Sequence, residues 1–243
     1  MKIGQIQVDF LAHVCFRFRS PGRHIVLTDP LFAEGFEWEG HRERYLSPPK
    51  VPIARIAACD VIFVSHIHGD HFDPDAVMAI QDRTGAEVLA PAEVLEALQE
   101  HGADVGLLVE AEDGTSFERG DMMLSTFAGY DNSLDERGRA NKFSLVLECG
   151  DTRIFYSGDC HELPPRVRGA KVDAMFCWPH TDDERLKALA CGLEAERFVL
   201  MHCDRFEPGD FLCNRDLGKE KARVERLLPG LKVVAPLRAT RLS

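Results

Sequence analysis

Along the first thirty residues, apolar and polar positions alternate in short runs, QIQVDFL, VCFRFRS and HIVLTDP, which is the period-two pattern of strands. The pair Ala12-His13 separates the first two runs and the turn signal SPGR the next two, so the chain is predicted to open with antiparallel hairpins. Residues 31–59 cluster proline, glycine, charge and aromatics (FAEGFEWEGHRERYLSPPK) and read as a long loop of the kind that roofs a site. From residue 61 the pattern changes to alternation: strand VIFVS, helix DPDAVMAIQDRTG, strand EVLAP, helix AEVLEALQEHG. Strands return after residue 105 with DMMLSTF, KFSLVLECG and TRIFYSG. They are followed by AMFCW, the helix DDERLKALACG, the strand RFVLMH, the helix RDLGKEKARVERLL and the strand LKVVAP. Two halves that each run from strands into alternating strands and helices predict an α/β protein, a four-layer αββα sandwich, with residues 1–243 as one domain.

Composition narrows the function. With 243 residues and 45% hydrophobic content, the chain can bury a substantial core. No stretch approaches the roughly 18 apolar residues of a membrane span, and MKIGQIQVDF lacks the basic and apolar regions of an export signal. The expectation is a cytoplasmic protein with no membrane insertion. Eight cysteines lie scattered without a CxxC pair, as in a reduced chain. Forty acidic against 29 basic residues leave a net charge of −11, which argues against a nucleic-acid partner. Nothing in the pattern speaks to oligomeric state.

The candidate chemistry sits in Ser65-His66-Ile67-His68-Gly69-Asp70-His71, directly after an apolar strand. In extended chain His66 and His68 point to the same side, and Gly69 lets the backbone turn so that Asp70 and His71 face the same spot. Four ligands within six residues suffice for two metals, and imidazoles mixed with a carboxylate suit a catalytic site. Three further strand ends carry polar residues: Thr28-Asp29-Pro30, Tyr156-Ser157-Gly158-Asp159 and Val199-Leu200-Met201-His202.

HxHxDH resembles the metallo-β-lactamase superfamily, and the other motifs, in the right order, extend the resemblance over essentially the whole chain. The resemblance implies the αββα fold and two divalent metal ions, zinc first, with manganese or iron as alternatives. It implies His66, His68, Asp70, His71 and His202 as ligands and Asp159 as the carboxylate bridging the metals, with Asp29 ending a strand near them. The implied function is a metal-dependent hydrolase in which a metal-bound hydroxide cleaves an ester, lactone or phosphodiester bond of a small anionic substrate. In it Asp70 orients that hydroxide or takes its proton. The strings AHVCFRF, LTDP, YSGDCH and FVLMHCDRF are most similar to the ascorbate-6-phosphate lactonase-like branch. His13 matches the histidine of that branch's Gly-His opening, with Ala12 in place of the glycine. It either supports the ligands or is a core histidine, and His161 has similar standing.

The chain also departs from the family pattern. A third histidine for the first metal is expected between HxHxDH and the bridging aspartate, yet His101, in a helix, is the only histidine between residues 72 and 158. Where it would fall the chain reads Phe127-Ala128-Gly129-Tyr130-Asp131-Asn132, so Asp131 or Tyr130 is a candidate substitute, as is a strand-end residue from elsewhere, with His180 the outside candidate. His180, His161 and the Tyr130 hydroxyl are the candidates for assisting the leaving group. The competing readings are a di-iron redox enzyme and a binding protein whose metal site has partly decayed.

Overall fold

The computed structural model describes residues 1–38, 40–129, 134–207 and 216–242. The first half contains β1 (Lys2–Ile3), β2 (Ile6–Ala12), β3 (Cys15–Arg19), β4 (Ile25–Thr28), β5 (Gly35–Trp38), β6 (His41–Tyr45), β7 (Val61–Phe63), α1 (Pro74–Thr84), β8 (Glu87–Ala90), α2 (Ala92–Glu100) and β9 (Leu108–Glu110). The second contains β10 (Thr115–Arg119), β11 (Met122–Ala128), β12 (Phe143–Cys149), β13 (Thr152–Tyr156), β14 (Lys171–Val172), β15 (Ala174–Cys177), α3 (Asp183–Cys191), β16 (Glu194–Ala195), β17 (Arg197–Leu200), β18 (Phe206–Glu207), α4 (Leu217–Leu227) and β19 (Lys232–Val234). One seven-stranded sheet has the order β1-β2-β3-β4-β7-β8-β9 and the other β10-β11-β12-β13-β15-β17-β19. Each begins antiparallel and ends parallel.

Period-two side-chain geometry divides the apolar strands between three cores. Val61 and Phe63 face the other sheet, where they meet Tyr156, Phe176 and Val199, while Ile62 and Val64 face the packing of Val77, Ile80, Val94 and Leu98 from α1 and α2. The second sheet does the same: Phe176 and Val199 point to the central core, and Met175, Cys177, Phe198 and Leu200 to Leu186, Leu189 and Val224 of α3 and α4. This is the predicted αββα sandwich. Its helices start where their caps lie. Asp73 accepts from the Ala76 N–H ahead of α1, with Pro74 in the first helical position, and Gly85 closes the helix at φ 70°. Among the described residues no helix is long and apolar enough to cross a membrane.

The expectation of a plain loop over 31–59 is corrected. It contains the β5–β6 hairpin, joined by β18 into a three-stranded sheet, and a 3₁₀ turn at Ile53–Arg55. The signal was hidden because HRERY alternates with a charged residue on its inner face: Glu43 is wholly buried, with its carboxylate 3.2 Å from His41 Nε2. Phe36, Tyr45 and Phe206 pack with Ala12 and Leu31 into a small fourth core beside the sandwich.

Candidate metal centre

The polar strand ends converge at the carboxyl ends of the parallel strands, where α/β sheets bind ligands. Asp29 follows β4, the His66–His71 segment follows β7, Asp159 follows β13 and His202 follows β17; His13 joins them from the β2–β3 turn. His71 Nε2 lies 3.1 Å from Asp159 Oδ1, and His66 Nε2 lies 3.5 Å from Asp159 Oδ2. On the other side His202 Nε2 lies 2.9 Å from Asp70 Oδ2 and 3.3 Å from Asp159 Oδ1, and His13 Nε2 lies 3.6 Å from Asp70 Oδ2. The donors form two groups, His66 with His71 and Asp159, and His13 with Asp70 and His202, each able to hold a metal ion, and every member is buried.

This donor set fits a divalent cation. Two carboxylates and four imidazoles are buried together, and Asp70 Oδ1 has no hydrogen-bond partner among the described residues. Polar atoms left this way in a core are costly unless an ion or water satisfies them. Donor separations also suit a tetrahedral ion, whose ligands at about 2.0–2.1 Å sit about 3.3 Å apart.

A polar cradle fixes the ring of His71. Asp29 Oδ2 accepts from His71 Nδ1 at 2.8 Å, from the Ser65 hydroxyl at 2.8 Å and from the Tyr156 hydroxyl at 2.6 Å, while Asp29 Oδ1 accepts from the Ser65 N–H at 2.6 Å. His71 thereby presents Nε2 to the cluster. The Ser65 hydroxyl also reaches His66 Nδ1 at 3.0 Å, orienting the neighbouring ring. Asp29, His13 and His202 have positive φ values of 36°, 48° and 61°, strained backbone of the kind that collects at functional sites.

Charge in the cluster is polarised. Burial drives His66 down to about 4 and His13 to about 3, helped by the charges of His71 and His202 respectively. Burial opposes charge on His71 as well, but Asp159, Asp70 and Asp29 outweigh it and raise this group to about 10; Asp159 and Asp70 raise His202 in the same way. Burial pushes the Asp70 and Asp159 carboxyls up, yet the imidazolium of His71 and the surrounding histidine contacts hold both well below the usual range. The proton on His71 offsets part of the charge of the two carboxylates in the space where a cation fits.

Five predicted ligands, His66, Asp70, His71, Asp159 and His202, come together here. His68 is placed elsewhere: it belongs to neither donor group, and its ring packs 4.5 Å from His66 and 6.1 Å from Trp38 of the hairpin, centroid to centroid. Burial and then the nearby Lys142 charge lower its pKa. Asp131 and Tyr130 lie outside the described residues. For His180 the expected role is corrected. Its side chain is 1% exposed and donates from Nε2 to the His202 carbonyl at 3.0 Å, with Nδ1 3.9 Å from Glu220 Oε2, so it braces the His202 loop instead of facing a leaving group. The His161 ring stacks at 4.6 Å on Trp178, which lies 5.1 Å from His202. Sequence reasoning understated His13; its match to the histidine of the Gly-His opening was the one signal that pointed to it.

Residues 24–203 match the family model described as a beta-lactamase superfamily domain. The chain is 26% identical over 159 residues to a metal-dependent hydrolase of Methanosphaera stadtmanae, covering 63% of this chain and 62% of that one. To a metal-dependent hydrolase of Thermoplasma volcanium it is 30% identical over 155 residues, covering 63% and 60%. The chain thus spans about three fifths of the length of the curated relatives it matches. Among solved structures, an isothiocyanate hydrolase from Delia radicum gut bacteria superposes with a TM-score of 0.69 at 15% identity, covering 97% of both chains. The diiron β-hydroxylase CmlA of Streptomyces venezuelae superposes with a TM-score of 0.61 at 15% identity, covering 98% of this chain and 55% of CmlA. These structural likenesses concern the fold.

Proposed function

Because the chain belongs to the metallo-β-lactamase superfamily, whose family model spans residues 24–203, we propose that it is a metal-dependent hydrolase with two divalent cations, zinc first, held by His66, His71, His202, Asp70 and Asp159. The observation that carries this reading is the burial of Asp70 and Asp159 among His66, His71 and His202. Cations bound there would lower the pKa of water towards 7 and polarise a carbonyl or phosphoryl oxygen. Asp159, between the two donor groups, would serve both. Asp70 Oδ1, buried without a hydrogen-bond partner among the described residues, would take a proton from the attacking water. Asp29, Ser65 and Tyr156 hold His71 in one tautomer, so the centre is organised before substrate arrives.

The β5–β6 hairpin lays Trp38 near His68, and Lys142 adds a positive charge on that side, a setting for a small anionic substrate with an apolar portion. An ester, a lactone or a phosphodiester fits this chemistry. The strings similar to the ascorbate-6-phosphate lactonase-like branch place a phosphorylated sugar lactone among these candidates. Cytoplasmic residence is part of the proposal; Cys15, Cys59, Cys149, Cys177 and Cys191 are thiols outside any disulfide, as a reducing compartment would keep them.

Metal analysis of protein purified without chelator, followed by a screen of esters, lactones and phosphodiesters, tests the reading. Two equivalents of zinc and turnover lost in His66→Ala and Asp159→Ala are expected. Folded variants that shed their metal but keep full turnover would sink it. The name of CmlA, a diiron β-hydroxylase, supplies the rival: iron-loaded protein with a visible band that bleaches on reduction would replace hydrolysis with redox chemistry.

A further inference from the structure

We propose that His13 is a metal ligand, donating Nε2 to the cation shared with Asp70 and His202. The inference rests on the hydrolase reading and adds a ligand to its centre. His13 Nε2 is 3.6 Å from Asp70 Oδ2, which is itself 2.9 Å from His202 Nε2, and the centroids of the His13 and His202 rings lie 4.1 Å apart. The two donor-atom separations bracket the roughly 3.3 Å expected between donors on one tetrahedral ion. With His13 counted, each donor group is two imidazoles and one carboxylate, His66, His71 and Asp159 in one and His13, His202 and Asp70 in the other. The histidine looked for between residues 72 and 158 is thus replaced from the amino-terminal sheet, on the opposite cation.

The backbone holds His13 for this role. His13 and His202 both adopt left-handed φ, and the His202 N–H donates to the His13 carbonyl at 2.9 Å, tying the two donors together. The His13 N–H in turn donates to Asp204 Oδ2 at 2.7 Å. Asp204 is gripped by the Arg238 guanidinium, whose Nη1 also donates to the Pro48 carbonyl at 2.8 Å. Phe206 packs edge-on against the His13 ring at 5.1 Å and limits its rotation. Two strained residues, a half-buried carboxylate and an arginine distant in sequence converge on the backbone of one residue, more than a core histidine needs.

The test uses the full-length protein stripped of metal and titrated with zinc. Long-range proton–nitrogen spectra of protein labelled in its histidine rings should show His13 Nε2 shifting together with His202 Nε2. His13→Asn keeps a residue that tolerates left-handed backbone. It should leave one cation bound with wild-type affinity and weaken the other by more than about 100-fold, beyond the 10–100-fold loss expected from an orienting neighbour. His66→Asn should weaken the opposite cation. An unmoved His13 resonance, or His13→Asn binding both cations within about 100-fold of wild type, overturns the assignment while leaving the hydrolase reading intact. Wild-type protein that takes up no zinc overturns both. If His13→Asn does not fold, the wild-type spectrum decides alone.

Discussion

Asp29 Oδ2 sits 2.8 Å from His71 Nδ1, and the same oxygen accepts from Tyr156 and Ser65. One carboxylate therefore determines which nitrogen of His71 faces the cations and joins β4, β7 and β13 at their carboxyl ends. In Asp29→Asn the amide keeps the volume and loses the charge, so zinc affinity should fall about 10–100-fold, as when a ligand's orienting partner is removed. Competition against a chromophoric chelator measures it; affinity within twofold of wild type would mean that His71 is oriented by its packing alone. Tyr156→Phe keeps most contacts and should cost only about 1 kcal/mol in a urea melt.

Cation binding must displace protons. The folded pKa of His71 is raised from 6.5 to about 10, so at pH 7 the metal-free ring carries a proton that a ligand cannot keep. Titration calorimetry in buffers of different ionisation enthalpy should report proton release at pH 7, with zinc affinity rising as pH is raised towards 10. For the metal-free protein the sign is opposite. A raised folded pKa adds stability that is fully present below about 6.5 and is lost as pH climbs through about 10. Metal-free stability that is flat across this window, with no proton release on binding, would contradict the charge arrangement of the cluster.

His180 separates bracing from acid catalysis. His180→Phe leaves the His202 carbonyl without its donor at a left-handed residue. It should cost about 1–3 kcal/mol of stability and lower turnover, with the pH–rate profile keeping its shape. A profile that loses its basic limb in this variant would return His180 to the role of leaving-group acid.

Gly158, one residue before Asp159, adopts φ 53°, and a Cβ there would lie 2.8 Å from Ser65 Cβ and 3.0 Å from the Phe143 carbonyl oxygen. Gly158→Ala should lose about 1–2 kcal/mol from the backbone alone and more from the collision. Because Ser65 orients His66 and lies against Asp29, bound zinc should fall along with the denaturation midpoint. A destabilised variant that retains full metal content would show that the collision is absorbed away from the donors.

Much of this was legible in the sequence because strands that alternate apolar residues announce themselves, and because ligands packed into Ser65–His71 leave little freedom of interpretation. The Asp29, Asp159 and His202 strand ends gained meaning from their order along the chain. What escaped did so for local reasons. Glu43 hides the inward face of β6, and β10 is largely exposed, so neither shows an apolar stripe. His68 looked equivalent to His66 because extended chain puts both on one side, but the fold turns its ring towards Trp38. His13 is 53 residues from His66 in the sequence; no spacing rule reaches that far, and only the closing of the two sheets brings it to Asp70.

The Ala239 N–H donates to the Phe10 carbonyl at 2.7 Å, and Arg238 beside it grips Asp204. Segments far apart in the sequence are thus stitched together beside the His13 turn. Contacts this distant in sequence close late in folding. The histidine-rich segment can therefore gather before the His13 turn is strapped down, and durable metal binding has to wait for that last closure.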